Sequence, residues 1–353
     1  MKIGSLFITN VVIAVLTVLL YEVPQYGPEN HWAFAVLPIL IPLFLILNIA
    51  FVIIYGIQFN LKVILSGIVL VLGSKYLNRT VSLDRNESKG EGLSVLSYNV
   101  RVFNVYPHLQ TEGAQNSKEQ LSWLENHPAD IKCLQEFYTD TSSVYNSLRC
   151  LKQQTPYVHF EPFLVNQKVH KFGMVIFSKF PIIDKGIIRF RRKSNNQVIY
   201  ADILYKKDTI RIYNFHLQSN IIEENLFENE TEFKNKFIRS LKRYAIASEV
   251  RSEQVKTLLD HVKSSPYPVI LCGDLNEIPY GYIYEEFRKI LYNSFEEKGL
   301  GFGFTFNGGI PFLRIDNHFY GPQLEIKSFQ TMNHIKYSDH YPLLGVYSLK
   351  ELN

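Results

Sequence analysis

Apolar and polar positions divide the chain into two unequal parts. From Leu6 to Tyr21 the residues are apolar apart from Thr9, Asn10 and Thr17. A second run, Trp32 to about Ile57, holds no charged residue, and a third, Val63 to about Leu77, holds only Lys75. Crossing a hydrocarbon core takes about 20 apolar residues. The pattern therefore predicts a membrane region over 1–77 with about three helices, 5–21, 32–57 and 61–77. Pro38 and Pro42 fall inside the second, and membrane helices tolerate proline better than soluble ones do. No small-residue cleavage site follows the first run before Tyr21-Glu-Val-Pro24, which argues against a removable signal peptide.

Charge near the spans bears on orientation. The loop Tyr21–His31 carries Glu22 and Glu29 with no Lys or Arg, whereas Gln58–Lys62 carries Lys62. Cationic loops stay in the cytoplasm, so the following domain is expected on the extracytoplasmic side of a multi-pass protein. Lys75, Arg79, Arg85 and Lys89 pull the other way. Residues 78–92, rich in Ser, Asn, Gly and charge, read as a flexible linker, and the soluble part as one domain over 93–353.

In that domain short β-branched runs bounded by turn residues predict strands at Leu93–Val100, Ile131–Gln135, His159–Leu164, Met174–Ser178, Ile182–Phe190, Val198–Tyr205, Thr209–Leu217, Val269–Leu275, Arg314–Tyr320 and Leu343–Leu349. Helical spacing appears at Ser117–Glu125, Phe233–Val262 and Tyr280–Leu291. Strands with helices between them give an α/β domain in which helices cover sheets.

The formal charge of +4 over 353 residues does not by itself point to nucleic acid. Cys133, Cys150 and Cys272 form no disulfide framework and no CxxC zinc pair; Cys133 and Cys272 lie in apolar runs and read as core.

Chemistry-bearing side chains gather where apolar runs stop: Ser97-Tyr-Asn99-Val-Arg101, Leu134-Gln-Glu136, Tyr213-Asn-Phe-His216, Gly273-Asp274-Leu-Asn276, Arg314-Ile-Asp316-Asn-His318 and Ser338-Asp339-His340. The ends of strands are where α/β sheets present their binding crevice. Singly, each has an ordinary explanation. Glu136 reads as a solvated strand-end charge, and Gly273-Asp-Leu-Asn reads as a turn. Together, Glu136, Asp274, Asp339 and the amides of Asn99 and Asn276 suit a hard cation such as Mg²⁺ better than zinc. Asp316, inside an apolar run, needs a partner, and a histidine is the natural one.

In order, with Gly173-Met-Val-Ile-Phe-Ser178-Lys-Phe-Pro181 between the second and third and with Ser338-Asp-His-Tyr-Pro342 at the end, these segments resemble the endonuclease/exonuclease/phosphatase superfamily from about Leu93 to Leu349. The resemblance implies a four-layer α/β/β/α sandwich of two mixed sheets. It implies that Asn99, Glu136 and Asp339 hold Mg²⁺, or Mn²⁺ in its place. It further implies that Asp274 orients or deprotonates water, that Asn276 contacts the phosphate, that Asp316 orients His340, and that His216 is a second catalytic histidine. The expected activity is hydrolysis of a phosphate ester (nucleic acid, phospholipid headgroup or small molecule) with the bilayer as partner and no obligate protein partner. A non-catalytic binding module keeping the fold is the alternative. Phe215 and Asn317-His318 depart from the family pattern and are expected to alter the pocket, and Ser219–Arg251, with Glu223, Glu224, Glu228, Glu230 and Glu232 ahead of a basic stretch, is longer than in compact members.

Overall fold

A computed structural model describes residues 4–83, 91–106, 114–142, 145–166, 169–191, 195–220 and 230–350. The middle of the expected linker and Glu223, Glu224 and Glu228 lie outside the described residues, as do the side chains of Glu230 and Glu232.

The N-terminal part is helical: α1 (Ser5–Glu22), α2 (Ala33–Val36), α3 (Ile41–Ile57), α4 (Val63–Leu72) and α5 (Ser74–Thr80). Two stretches, Ser5–Gln25 and Ala33–Ile57, are long and apolar enough to cross a membrane. The third expected helix, 61–77, is instead broken at Gly73 into α4 and α5. The second is interrupted at Leu37–Leu40, a 3₁₀ turn containing Pro38, because proline lacks the amide hydrogen that an unbroken helix needs. The polar residues that interrupt the apolar runs face one another. Asn48 donates to Thr17 Oγ1 at 2.8 Å and Ser66 to Asn10 Oδ1 at 2.8 Å, so α1 is tied to α3 and to α4. The outer faces stay apolar and open: Ile8, Val15, Leu19, Ile46, Ile57 and Val71 are all more than half exposed.

Residues 78–83, expected in the flexible connection, form the end of α5 and the strand β1 (Ser82–Leu83). Then follow β2 (Leu93–Asn99), α6 (Ala114–Asn126), β3 (Ile131–Thr139), α7 (Ser147–Leu151), β4 (Tyr157–Asn166), β5 (His170–Ser178), β6 (Ile182–Ile188), β7 (Gln197–Tyr205) and β8 (Asp208–His216). The chain continues through α8 (Glu230–Lys263), β9 (Val269–Asp274), α9 (Tyr282–Arg288), β10 (Tyr292–Asn293), α10 (Ser294–Lys298), β11 (Leu300–Gly301), β12 (Asp316–Tyr320), β13 (Leu324–Thr331) and β14 (Leu343–Leu349).

Two six-stranded sheets result, ordered β13-β14-β2-β3-β5-β4 and β10-β12-β9-β8-β7-β6. Each is mixed: β2 runs parallel to β3 and β8 parallel to β9, and the other pairs are antiparallel. Their inner faces share a core that includes Val95, Cys133, Ile176, Ile212, Ile270 and Cys272. That places both sequence-flagged cysteines between the sheets. The outer face of one sheet packs on α6 and α7 through Leu121, Leu124 and Leu151. The other packs on α8 and α9 through Val255, Leu258, Leu259, Ile283 and Phe287. This is the expected α/β/β/α sandwich. β2, β3, β8 and β9, the strands adjoining each parallel pair, all end at the same edge of the molecule, and the candidate site lies there.

Candidate active site

Asn99 closes β2. Beyond it, Arg101, Val102, Phe103 and Asn104 take left-handed conformations, with φ of 47°, 48°, 53° and 51°. A β-branched residue such as Val102 adopts that region only when its surroundings impose it. Here Phe103 is buried in the core and Asn104 donates to the Tyr337 carbonyl at 2.7 Å. The turn brings Arg101 Nε to 3.3 Å from Asp339 Oδ2. Ser338 Oγ donates to the Asn99 carbonyl at 2.8 Å, so the segment before β14 is fastened to the end of β2.

Glu136 sits where β3 bulges against β5, with φ of 50°. The bulge aims its carboxylate into the edge instead of into the sheet. Asn99 Nδ2 donates to Glu136 Oε1 and to Asp274 Oδ2, at 3.2 Å in each case. The amide oxygen of Asn99 accepts from the Arg101 N–H at 3.1 Å. Asp274 ends β9 directly after Gly273, whose φ is 147°. A Cβ there would sit 1.9 Å from the Phe215 carbonyl oxygen, so only glycine allows β9 to lie this close to β8. Asp274 Oδ1 accepts from the Asn276 N–H at 2.9 Å. Asn276 takes φ of 53°, and its side-chain amide donates to the Leu217 carbonyl at 3.1 Å.

Asp316 opens β12, paired in register with Asp274. Thr305 Oγ1 accepts from the N–H groups of Ile315 and Asp316, at 3.0 Å each. Asp316 Oδ2 accepts from His340 Nδ1 at 2.8 Å, and His340 Nε2 lies 3.8 Å from Asp274 Oδ2. His216 Nε2 lies 3.7 Å from both Glu136 Oε1 and Asp274 Oδ2. Among the described residues, neither of its buried ring nitrogens has a hydrogen-bond partner.

Burial, reinforced by the Asp316 carboxylate, pushes the Asp274 carboxyl up to about 6, against the pull of His340 and His216. For His340 burial works against the charged ring, but the carboxylates of Asp316 and Asp274 outweigh it and hold the imidazole protonated well above its usual range.

The edge thus gathers Asn99, Glu136, Asp274, Asp316, Asp339, His216 and His340. Asn276 lies against it with its amide turned toward β8. Among the described residues, Asp274, Asp316 and His340 form a group whose ligand atoms lie within 4.8 Å of one another. The fit to a divalent ion follows from the donor set: carboxylates converge on an amide NH₂, and an imidazole beside them is without a partner. Oxygen-rich, anionic surroundings of this kind suit Mg²⁺ or Mn²⁺.

The two departures from the family pattern do not reach the pocket. Phe215 points into the layer under α9, its ring 5.9 Å from Phe287. Asn317 accepts from Arg314 and Asn293, and His318 is fully buried beside the Tyr347 hydroxyl. Residues facing opposite sides of a strand alternate, so Asn317 turns away from Asp316, while His318 shares its side but sits two residues further into the core, against Tyr347 and Phe329.

The structure adds positioning residues that the sequence does not announce. Arg251 on α8, fully buried, donates to Glu277 at 2.9 Å, to the Gln218 carbonyl at 2.8 Å and to Asn220 Oδ1 at 2.7 Å. Tyr244 also donates to Glu277, and Asn220 donates to the Asn276 carbonyl at 2.8 Å. The loops after β8 and β9 are thereby clamped to α8. Glu277, a carboxylate directly after Gly-Asp-Leu-Asn, was the available signal. Arg251 was one cation among many in its helix.

A family model described as endonuclease/exonuclease/phosphatase matches residues 96–340. The chain belongs to the endonuclease/exonuclease/phosphatase family. A second model, a domain of unknown function, matches residues 4–80. No curated protein matches the sequence. Solved structures with similar folds include a family member from Bacteroides vulgatus, 15% identical, covering 74% of this chain and 100% of that one, with a TM-score of 0.54. A mannosyl-6-phosphatase from Bacteroides thetaiotaomicron is 17% identical, covers 73% and 100%, and gives a TM-score of 0.53. The human Nocturnin catalytic domain with bound sulfate anion is 16% identical, covers 76% and 97%, and gives 0.51. At these identities the likeness is one of fold. Enzymes of the endonuclease/exonuclease/phosphatase family generally use divalent metals, in keeping with the oxygen-rich edge described above.

Proposed function

We propose that the protein is a membrane-anchored, Mg²⁺-dependent phosphoesterase that hydrolyses a phosphodiester or phosphomonoester by in-line attack of water. The observation that carries this reading is the meeting at the Asp274 carboxylate of His216 and the Asp316–His340 pair, with Glu136 beside His216. Glu136 and Asp339 would hold the ion together with the oxygen of Asn99, once the Asn99 amide turns its oxygen rather than its NH₂ toward Glu136. Bound there, Mg²⁺ or Mn²⁺ supplies positive charge that offsets the anionic oxygens of the phosphate. Asp274, fixed by the Asn276 N–H, orients water and takes its proton. Asp316 holds the protonated His340 ring through Nδ1, so that Nε2–H is offered to a phosphate oxygen. His216 and Asn276 complete the cradle.

The full chain is expected to hydrolyse bis-p-nitrophenyl phosphate with Mg²⁺ or Mn²⁺ and to stop with EDTA. Calorimetric titration with Mg²⁺ is expected to show binding that Glu136→Gln weakens. Neither turnover nor Mg²⁺ binding would leave the non-catalytic binding module as the surviving reading.

Anchoring is supported by the helices themselves. Only 28% of each long apolar window is buried, unlike the core helix of a soluble protein. The contacts of Asn10 and Thr17 with Ser66 and Asn48 tie α1 to its neighbours, unlike a removable signal. The catalytic domain is proposed to face the extracytoplasmic side. The loop with Glu22 and Glu29 lies at its end of the bundle: the end of α1 meets Tyr280 in one apolar cluster, and Glu29 accepts from Ser252. Lys75 and Arg79, which would favour the cytoplasm, are both paired with Glu285. Protease added to intact cells should digest the domain; protection until lysis would reverse the assignment.

A further inference from the structure

We infer that the substrate is a lipid phosphate ester, taken up from the same bilayer that holds the spans. This deepens the phosphoesterase and anchoring readings above and rests on them.

Two segments carry the site directly onto the membrane helices. The loop after Asp274 and Asn276 continues through Ile278 and Tyr280, which pack in one apolar cluster with Leu20, Tyr21, Ile41 and Val69. The Tyr280 hydroxyl meets Thr80 Oγ1 at 3.0 Å. Arg79 donates to Glu285 at 2.9 Å, while Arg314, close before Asp316, donates to the Arg79 carbonyl at 2.8 Å. The catalytic edge therefore lies at the end of the sandwich nearest the spans.

The second segment is an aromatic loop. β1, which follows the last N-terminal helix, pairs with β11, Leu83 opposite Leu300. From β11 the chain runs through Phe302, Phe304, Phe306 and Phe312, with no charged residue from Leu300 to Phe312. Phe302 is 53% exposed, Phe312 73% and Leu83 81%. Phe304 stacks on Phe302 at 5.4 Å and meets Phe312 at 5.3 Å. The far end of the loop is part of the site: the Phe306 ring lies 5.2 Å from that of His340, and the Asn307 N–H donates to the Asp339 carbonyl at 2.6 Å. Between them lies a cavity of about 450 Å³ lined by these phenylalanines and Tyr341.

An uncharged aromatic surface that starts where the chain leaves the spans and ends at His340 suits an acyl chain on one side and a phosphate on the other. Aromatic side chains favour the membrane interface. A nucleic-acid strand would instead call for cations along this wall. In the reaction, water oxygen bonds to phosphorus, the bond from phosphorus to the leaving oxygen breaks, and the proton from water ends on the leaving group.

The experiment uses the full chain in phosphatidylcholine vesicles with two esters sharing one scissile bond, p-nitrophenyl hexadecyl phosphate and p-nitrophenyl methyl phosphate. The expected result is a preference of about tenfold or more in kcat/KM for the hexadecyl ester, from burial of its chain. Phe302→Ser with Phe312→Ser should abolish that preference and leave turnover of the methyl ester unchanged. A preference that survives the double variant, or equal rates for the two esters in the unaltered protein, would overturn the lipid assignment. Faster cleavage of a single-stranded oligonucleotide than of either ester would assign the wall to nucleic acid instead. If neither p-nitrophenyl ester is hydrolysed, it is the phosphoesterase reading that fails.

Discussion

Glu136 and His216 separate two kinds of cost at a single site. Glu136 is partly exposed, held by one donor from Asn99 and placed by a bulge, so its charge contributes little to the fold. Glu136→Gln is expected to lower kcat on bis-p-nitrophenyl phosphate by about three orders of magnitude, or roughly 4 kcal/mol, with little change in Tm. His216 carries the opposite sign. Two buried ring nitrogens without partners cost the fold on the order of 1–3 kcal/mol. His216→Leu should therefore raise stability by about 1 kcal/mol in thermal or denaturant unfolding while turnover falls. A variant that lost stability would show that the imidazole is satisfied in the folded protein. Neither property was legible in the sequence, which marked Glu136 as a cation ligand and His216 as a second catalytic histidine but showed neither the bulge nor the burial of the ring. Asp316 was more legible: a carboxylate inside an apolar run had to have a partner, and His340 supplies it at 2.8 Å.

At the scale of elements, period-two alternation and turn residues were enough to find most strands of both sheets. β13 escaped because its register shifts between Ile326 and Ser328, which breaks the alternation. α7 and α10 escaped because five residues are too few to show a helical period. The clamp between α5 and α9 could not be read at all, since Arg79 and Glu285 are far apart in the chain and charged residues are usually solvated. In the fold Arg79 is 3% exposed and holds both carboxylate oxygens of Glu285. Burial would raise the Glu285 carboxyl, yet hydrogen bonding and charge from Arg79 and Lys75 hold it below 4.5. A carboxylate depressed in this way contributes stability above its ordinary value and loses it as pH falls through the lowered one. Unfolding in detergent should therefore show the unaltered protein losing stability below about pH 4.5, with Glu285→Gln already weaker at neutral pH and flatter across that range. Parallel curves for the two proteins would mean that the clamp does not titrate with folding.

For the whole molecule, the sequence pattern separated an apolar helical region from an α/β sandwich and treated residues 78–92 as a loose join. Residues 78–83 are instead structured, and the reason is physical: Ser, Asn, Gly and charges describe both a solvated linker and a surface that makes polar contacts. Here Arg79, Thr80 and Ser82 make such contacts, to Glu285, Tyr280 and β11. Through these contacts the sandwich is held against the N-terminal helices. On the proposed anchoring, it would translate and turn only as the spans do, at a constant height above the lipid, and its search would be a planar one, over a disc rather than a sphere.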